Sequence, residues 1–222
     1  MKTILHVSCS PRGKAAESYR LSQEIIDALL ARYPEARVVD RVIGDGSIRH
    51  IDEDYAISQS SAEDVSRQGS MAESEILVRE LETAGYLVIS TPMHNLTIPS
   101  SLKAWIDHVV RARRTFTIGA GGKVGLLEDR PVFVAIASGG RFSGEQARQP
   151  DFLTPYLTTI LATVGLRDLT FFSVQGTGSG AATVQEARVK TAHAIKDHFA
   201  SFRSEGASPE SLGHLSFACA QG

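Results

Sequence analysis

Three loops carry residues whose types and spacing could do chemistry. The first reads Ser8-Cys9-Ser10-Pro11-Arg12-Gly13-Lys14-Ala15-Ala16-Glu17-Ser18 and leads from an apolar run into a segment of helical spacing. A helix N-terminus presents unpaired N–H groups and the positive end of a dipole, so the Ser10 and Ser18 hydroxyls and the Arg12 guanidinium would suit a phosphate monoester there. The plainer alternative makes Ser18 an N-cap and Arg12 a solvated cation.

The second loop, Thr91-Pro92-Met93-His94-Asn95-Leu96-Thr97-Ile98-Pro99-Ser100, offers what a flat heterocycle needs. Pro92, Met93 and Leu96 supply apolar contact, while Asn95 and main-chain amides can read a polar ring edge. An ordinary strand-to-helix turn is the alternative. His94 could give a proton or hydrogen bond to a bound acceptor near neutral pH, or could be a simple polar contact. In the third loop, Ala137-Ser138-Gly139-Gly140-Arg141, two glycines would let the backbone approach a planar ligand.

Two other glycine-rich stretches weigh less. Gly176-Thr177-Gly178-Ser179-Gly180 has no strand after it to complete a dinucleotide-binding unit, and reads as a flexible turn. Gly119-Ala120-Gly121-Gly122-Lys123-Val124 has valine where a Walker A loop needs Ser or Thr, which disfavours ATP or GTP hydrolysis. The histidines outside the second loop lack the spacing of a zinc site, and Cys9 and Cys219 stand at opposite ends of the chain, so no metal is expected.

The elements that must position these loops are legible as five apolar runs: Thr3 to Cys9, Arg37 to Val42, Tyr86 to Thr91, Val132 to Ser138 and Leu169 to Val174. Near-continuous apolarity predicts strands buried on both faces of a parallel sheet. Helical spacing recurs between and after them, as in Leu21, Ile25 and Leu29, then Leu102, Trp105 or Ile106, and Val109. This alternation is that of an open doubly wound α/β sheet, which binds ligands beyond the carboxyl ends of its strands. Trp105 is expected in the core, and Phe116 could line an acceptor pocket.

Residues 44–70 are polar and acidic, longer than the usual connection of about 4–6 residues, and read as a surface excursion. Residues 204–222 read as a flexible tail, so that 1–203 form a single domain. The net charge of −2 over 222 residues, with 23 Lys+Arg against 25 Asp+Glu, disfavours nucleic-acid binding. No apolar run nears the roughly 20 residues that span a bilayer, and no signal peptide is evident, so a soluble cytoplasmic protein without a membrane partner is expected.

The motif Ser8-Cys9-Ser10-Pro11-Arg12-Gly13 with Glu17-Ser18-Tyr19-Arg20-Leu21-Ser22, then Pro92-Met93-His94-Asn95, Phe116, Gly139-Gly140 and Thr154-Pro155-Tyr156-Leu157, resembles the FMN-dependent NADH:azoreductase family of flavodoxin-like quinone reductases. The resemblance covers Met1 to about Phe202. It implies a flavodoxin-like five-stranded parallel sheet of order 2-1-3-4-5 with helices on both faces, and a homodimer with FMN near the subunit interface. It places the FMN phosphate and ribityl chain at Ser10, Glu17 and Ser18, with Arg12 beside them. It places the ring against Met93, His94, Asn95 and Leu96 on one side and Ser138, Gly139 and Gly140 on the other.

The implied activity is an FMN-dependent NAD(P)H oxidoreductase, with NADH or NADPH as donor and a quinone or azo compound as acceptor in a two-step hydride exchange. Better-known members carry Tyr and Phe where this chain has His94 and Leu96, Arg where it has Ser138, and aromatic residues where it has Ile118 and Ile160. These departures bear on the acceptor, not on FMN. A non-catalytic FMN-binding redox sensor is the alternative reading, while a flavodoxin-type electron carrier would be more acidic.

Overall fold

Along the first strand the side chains alternate between two cores: Ile4 faces one, Leu5 and Val7 the other. This period of two on a strand apolar throughout requires a covering layer on both sides. The computed structural model describes residues 2–60 and 69–202. The tail at 204–222 and residues 61–68 of the excursion lie outside the described residues.

In chain order the elements are β1 (Thr3–Ser8), α1 (Glu17–Arg32), β2 (Arg37–Val42), α2 (Glu53–Ser60), α3 (Gly69–Thr83), β3 (Tyr86–Pro92), α4 (Ser100–Val109), β4 (Phe116–Gly119), β5 (Gly122–Gly125), β6 (Val132–Ser138), α5 (Thr154–Val164), β7 (Leu169–Gln175) and α6 (Ala181–Ser201). The parallel sheet has the order β2-β1-β3-β6-β7. Counting sheet strands alone, this is the expected 2-1-3-4-5. One core packs α1 and α6 on the sheet through Leu21, Ile25, Leu29 and Ile195. The opposite core takes Leu77 and Leu81 of α3, Trp105 of α4, and Leu157 and Leu161 of α5. Trp105 is fully buried, as its helical spacing predicts. Among the described residues no helix is long and apolar enough to cross a membrane.

Three elements depart from the sequence reading. The glycine-rich stretch after Phe116 is an antiparallel hairpin, β4 with β5, closed by the two-residue turn Ala120-Gly121. Gly125 allows its close docking, since a Cβ there would lie 2.2 Å from the backbone nitrogen of Gly165. The excursion carries α2, whose Tyr55 is buried and donates its hydroxyl to the Asp107 carbonyl at 2.6 Å. The supposedly flexible turn at Gly176–Gly180 is bonded to the third loop, as described below.

Candidate functional site

Because β1, β3 and β6 are neighbours in the sheet, the three loops leave the same edge side by side. Register fixes their heights: Ser8 pairs with Ser90, and Pro92 with Ala137. The Cys9 N–H donates to the Ser90 carbonyl at 2.9 Å, and the Met93 N–H to the Ala137 carbonyl at 2.8 Å, which carries the pairing into the loops. A hollow of about 520 Å³ lined by Thr3, Gly85, Tyr86 and Asp168 opens at the opposite end of the sheet and shares none of these loop residues.

At the first loop, α1 begins with Glu17 after an N-cap, Ala16, that has no capping side chain. Ser18 is therefore not the cap. Its side chain is fully buried, and its Oγ has no hydrogen-bond partner. A buried hydroxyl without a partner costs about 1–3 kcal/mol. It lies in the first helical turn, where backbone N–H groups also lack intrahelical acceptors. Ser10 is buried, its Oγ accepts from the Arg12 N–H at 3.3 Å, and its carbonyl accepts from the Gly13 N–H at 3.0 Å. Arg12 itself is exposed.

The Glu17 side chain does not face this loop freely. Its carboxylate accepts from Arg188 of α6 at 2.6 and 3.0 Å and from Arg20 at 2.8 Å. Burial pushes this carboxyl upward, but the two arginines outweigh it and hold its pKa below the ordinary value. What Glu17 retains for a ligand is its main-chain N–H at the first helical position.

Beneath the helix start, His6 is fully buried between Asp40 and Ser22, with Nδ1 2.8 Å from Asp40 Oδ1 and Nε2 2.9 Å from Ser22 Oγ. Burial lowers the His6 pKa against the pull of Asp40. The neutral ring carries one N–H between these two partners, and the single Ser22 proton lies within reach of both Nε2 and the Tyr19 carbonyl, 2.8 Å from Oγ. Ser22 is closed to solvent, so this chain seats α1 on the sheet and offers no nucleophile. Cys9 is likewise buried, with its thiol pushed up and held protonated.

The second loop is a tight turn in which His94 and Thr97 exchange N–H···O bonds at 2.9 and 3.0 Å. Asn95 and Leu96 both take positive φ, 48° and 71°, the combination of a type I′ turn. Asparagine tolerates this conformation, whereas leucine is strained in it. The Phe152 N–H donates to the Leu96 carbonyl at 3.1 Å, and Asp151 caps α5 through the N–H groups of Leu153 and Thr154. Thus α5 fixes the turn. His94 and Asn95 are exposed, Pro92 and Leu96 are half-buried, and Met93 is buried.

In the third loop Ser138 is buried, and its Oγ lies 3.8 Å from Met93 Sδ. Gly139 has open space where a Cβ would stand. The space beside Gly140 is filled by Gln149, whose Nε2 reaches Met93 Sδ at 3.0 Å and Ser138 Oγ at 3.3 Å. Behind them, the Thr177, Gly178 and Gly176 N–H groups donate to the Ser138, Gly139 and Gly140 carbonyls at 3.0, 3.2 and 3.2 Å.

Residues 2–199 match the model of a family described as having a flavodoxin-like fold. The chain belongs to that family. The chain is 45% identical over 192 residues to FMN-dependent NADH:quinone oxidoreductase 4 of Pseudomonas fluorescens, covering 85% of this chain and 93% of that protein. It is 43% identical to FMN-dependent NADH:quinone oxidoreductase 5 of Burkholderia lata, covering 85% and 92%. Among solved structures, an azoreductase from Bacillus anthracis Sterne superposes with a TM-score of 0.79 at 21% identity, covering 91% of this chain and 100% of that one. A Bacillus anthracis FMN-dependent NADH-azoreductase in complex with FMN gives 0.73 at 22% identity, covering 88% and 99%. At such identities these two structures speak for the flavodoxin-like fold alone.

Sequence reasoning singled out the three loops and overlooked what supports them. Gly44, which follows β2, packs against Ser10, and its position after a strand was the available sign. Gln149 and the pair His6 and Ser22 left no local signal, because each works through contacts distant in sequence.

Proposed function

We propose that this protein is an FMN-dependent NAD(P)H oxidoreductase that reduces quinones or azo compounds in the cytoplasm. The observation that carries this is the buried, unpartnered Ser18 hydroxyl in the first turn of α1, a donor site that a phosphate would complete. The relatives named as NADH:quinone oxidoreductases support the reaction and favour NADH as the donor.

The residues fit the cofactor. Ser10, Ser18 and the N–H groups at the start of α1 would hold the phosphate, with Arg12 supplying charge from the exposed rim. From β1 to β6 is two strand spacings, about 10 Å, which leaves the loops after β3 and β6 for the ring. Pro92, Met93 and Leu96 would give it an apolar face, the amides of the Asn95-Leu96 turn its polar contacts, and Ser138 and Gly139 the facing wall. When bound, FMN supplies the hydride chemistry by alternating between oxidised and reduced forms. The chain then has to bind, orient and exclude water. His94, exposed in this turn, would be free to donate a hydrogen bond or proton to the acceptor.

We also propose that the active form is a homodimer. Ile118, Val124 and Leu126 on and beside the β4–β5 hairpin are 72%, 49% and 50% exposed, and such apolar surface favours a partner copy.

The deciding experiment is an anaerobic titration of FMN-reconstituted protein with NADH and then NADPH, followed by a soluble quinone. Bleaching of the flavin absorbance and its return on adding quinone is the expected result. Flavin that binds but does not turn over would favour the redox-sensor reading, and protein that binds no flavin would overturn both.

A further inference from the structure

We propose that Gln149 is the side chain that recognises the pyrimidine edge of the flavin ring. This rests on the flavin reading of the site and extends it to a residue outside the three loops.

Gln149 stands between β6 and α5, and its backbone N–H bonds to the Arg141 carbonyl at 3.2 Å, folding this segment back over the third loop. Its amide joins the two ring-binding walls. Nε2 lies 3.0 Å from Met93 Sδ, after β3, and 3.3 Å from Ser138 Oγ, at the end of β6. A Cβ on Gly140 would fall 2.1 Å from its Oε1. The missing side chain at Gly140 thus makes room for Gln149, and Gly139 alone leaves open space toward a ligand.

The bonding of this amide is incomplete. A thioether is a weak acceptor, and Oε1 accepts no hydrogen bond from any described residue. Both N–H groups of Nε2 are directed at Met93 Sδ and Ser138 Oγ, so what this half-buried amide offers a ligand is Oε1, an acceptor without a donor among the described residues. Of the groups on FMN, the pyrimidine edge matches it: its N3–H is the donor that Oε1 lacks. The phosphate end is accounted for elsewhere, at β1, on the far side of β3. A site that bonds a particular N–H discriminates against an analogue lacking it, because its own polar atom is then left unpaired.

The test measures binding of FMN and of N3-methyl-FMN by flavin fluorescence to the wild type, Gln149→Met and Gln149→Ala, with circular dichroism to confirm folding. Gln149→Met keeps the volume beside Met93 and removes both amide atoms. We expect the wild type to prefer FMN over the methylated analogue by about tenfold, and FMN affinity to fall about 3- to 10-fold in Gln149→Met. The preference should shrink to within about twofold in both variants. A preference that persists unchanged in both, even with weaker binding overall, would make Gln149 a mere brace and overturn the proposal. A wild type that binds neither compound would bring down the flavin reading itself, and this proposal with it.

Discussion

Gly44 and Ser10 touch backbone to backbone: a Cβ on Gly44 would lie 2.1 Å from the Ser10 carbonyl oxygen. The Gly44 N–H also donates to the Ser8 carbonyl at 3.1 Å, so the exit of β2 is clamped to the loop after β1. Gly44→Ala must move one of the two backbones, and overpacking of this kind costs about 1–3 kcal/mol. Since the displaced loop carries Ser10, proposed above to hold the phosphate, FMN affinity should fall by about tenfold or more. Thermal denaturation and a flavin titration check the two effects, and unchanged FMN binding would show that the Ser10 loop does not hold the cofactor.

Ser18→Ala should move stability and binding in opposite directions. Without ligand the substitution removes a buried hydroxyl that has no partner, so the apo-protein should hold or gain stability, by up to about 1 kcal/mol. A hydrogen bond to a charged phosphate is worth about 1.5–3 kcal/mol, so FMN should bind about 10- to 150-fold more weakly. Urea unfolding with and without FMN reads both. Loss of apo-stability would mean that the hydroxyl has a structural partner instead.

Glu17→Gln separates a ligand contact from a structural one. The carboxylate is taken by Arg188 and Arg20, so its loss should lower stability by about 1 kcal/mol, Arg188 being more than a third exposed. FMN affinity should stay level or rise, because a negative charge near the phosphate is removed and two guanidiniums are released. Affinity reduced tenfold would instead place the carboxylate in contact with the cofactor.

The parts of this molecule that were legible in its sequence are those written in local periodicity. The five strands fall within about a residue of the apolar runs, and the site loops follow from the strand ends; burial on both faces forces continuous apolarity in β1, β3 and β6, whereas the edge strand β2, expected to be buried too, has no buried residue, and the edge strand β7 is mostly half-buried. Tyr55 was hidden by its surroundings, since one buried aromatic anchors α2 within a stretch otherwise polar. The β4–β5 hairpin depends on Gly125 meeting Gly165 across α5, which no window of a few residues contains. Glu17 likewise looked like a loop residue near a ligand until Arg188, on the last helix, took its carboxylate. Helix and sheet are local decisions, while the direction of a charged side chain is settled by whichever partner the fold brings near.

Two histidines, the buried His6 and the half-buried His198, set how stability responds to mild acid. Burial lowers the His6 pKa from 6.5 although Asp40 opposes it, and burial likewise lowers that of His198, which packs among Phe133, Phe172, Phe199 and Phe202, although Asp168 opposes it. A group whose folded pKa lies below its unfolded value refuses a proton that the unfolded chain accepts. Its stabilisation is therefore complete above about pH 6.5 and declines as the pH falls from there toward the folded pKa. Glu75 adds a second, more acidic window. Burial pushes its carboxyl up, but Arg114, Arg79 and Arg111 prevail and bring its pKa to about 2, so its contribution is lost only below about pH 4.5. The urea midpoint of the apo-protein should accordingly be level from pH 8 to about 7, decline as the pH drops below about 6.5, and decline further below about 4.5. In His6→Gln the first decline should shrink, leaving the share of His198, while the second stays. A midpoint that rises on going from pH 7 to 5.5 would mean that His6 is charged in the fold, with a proton on both ring nitrogens, and paired with Asp40.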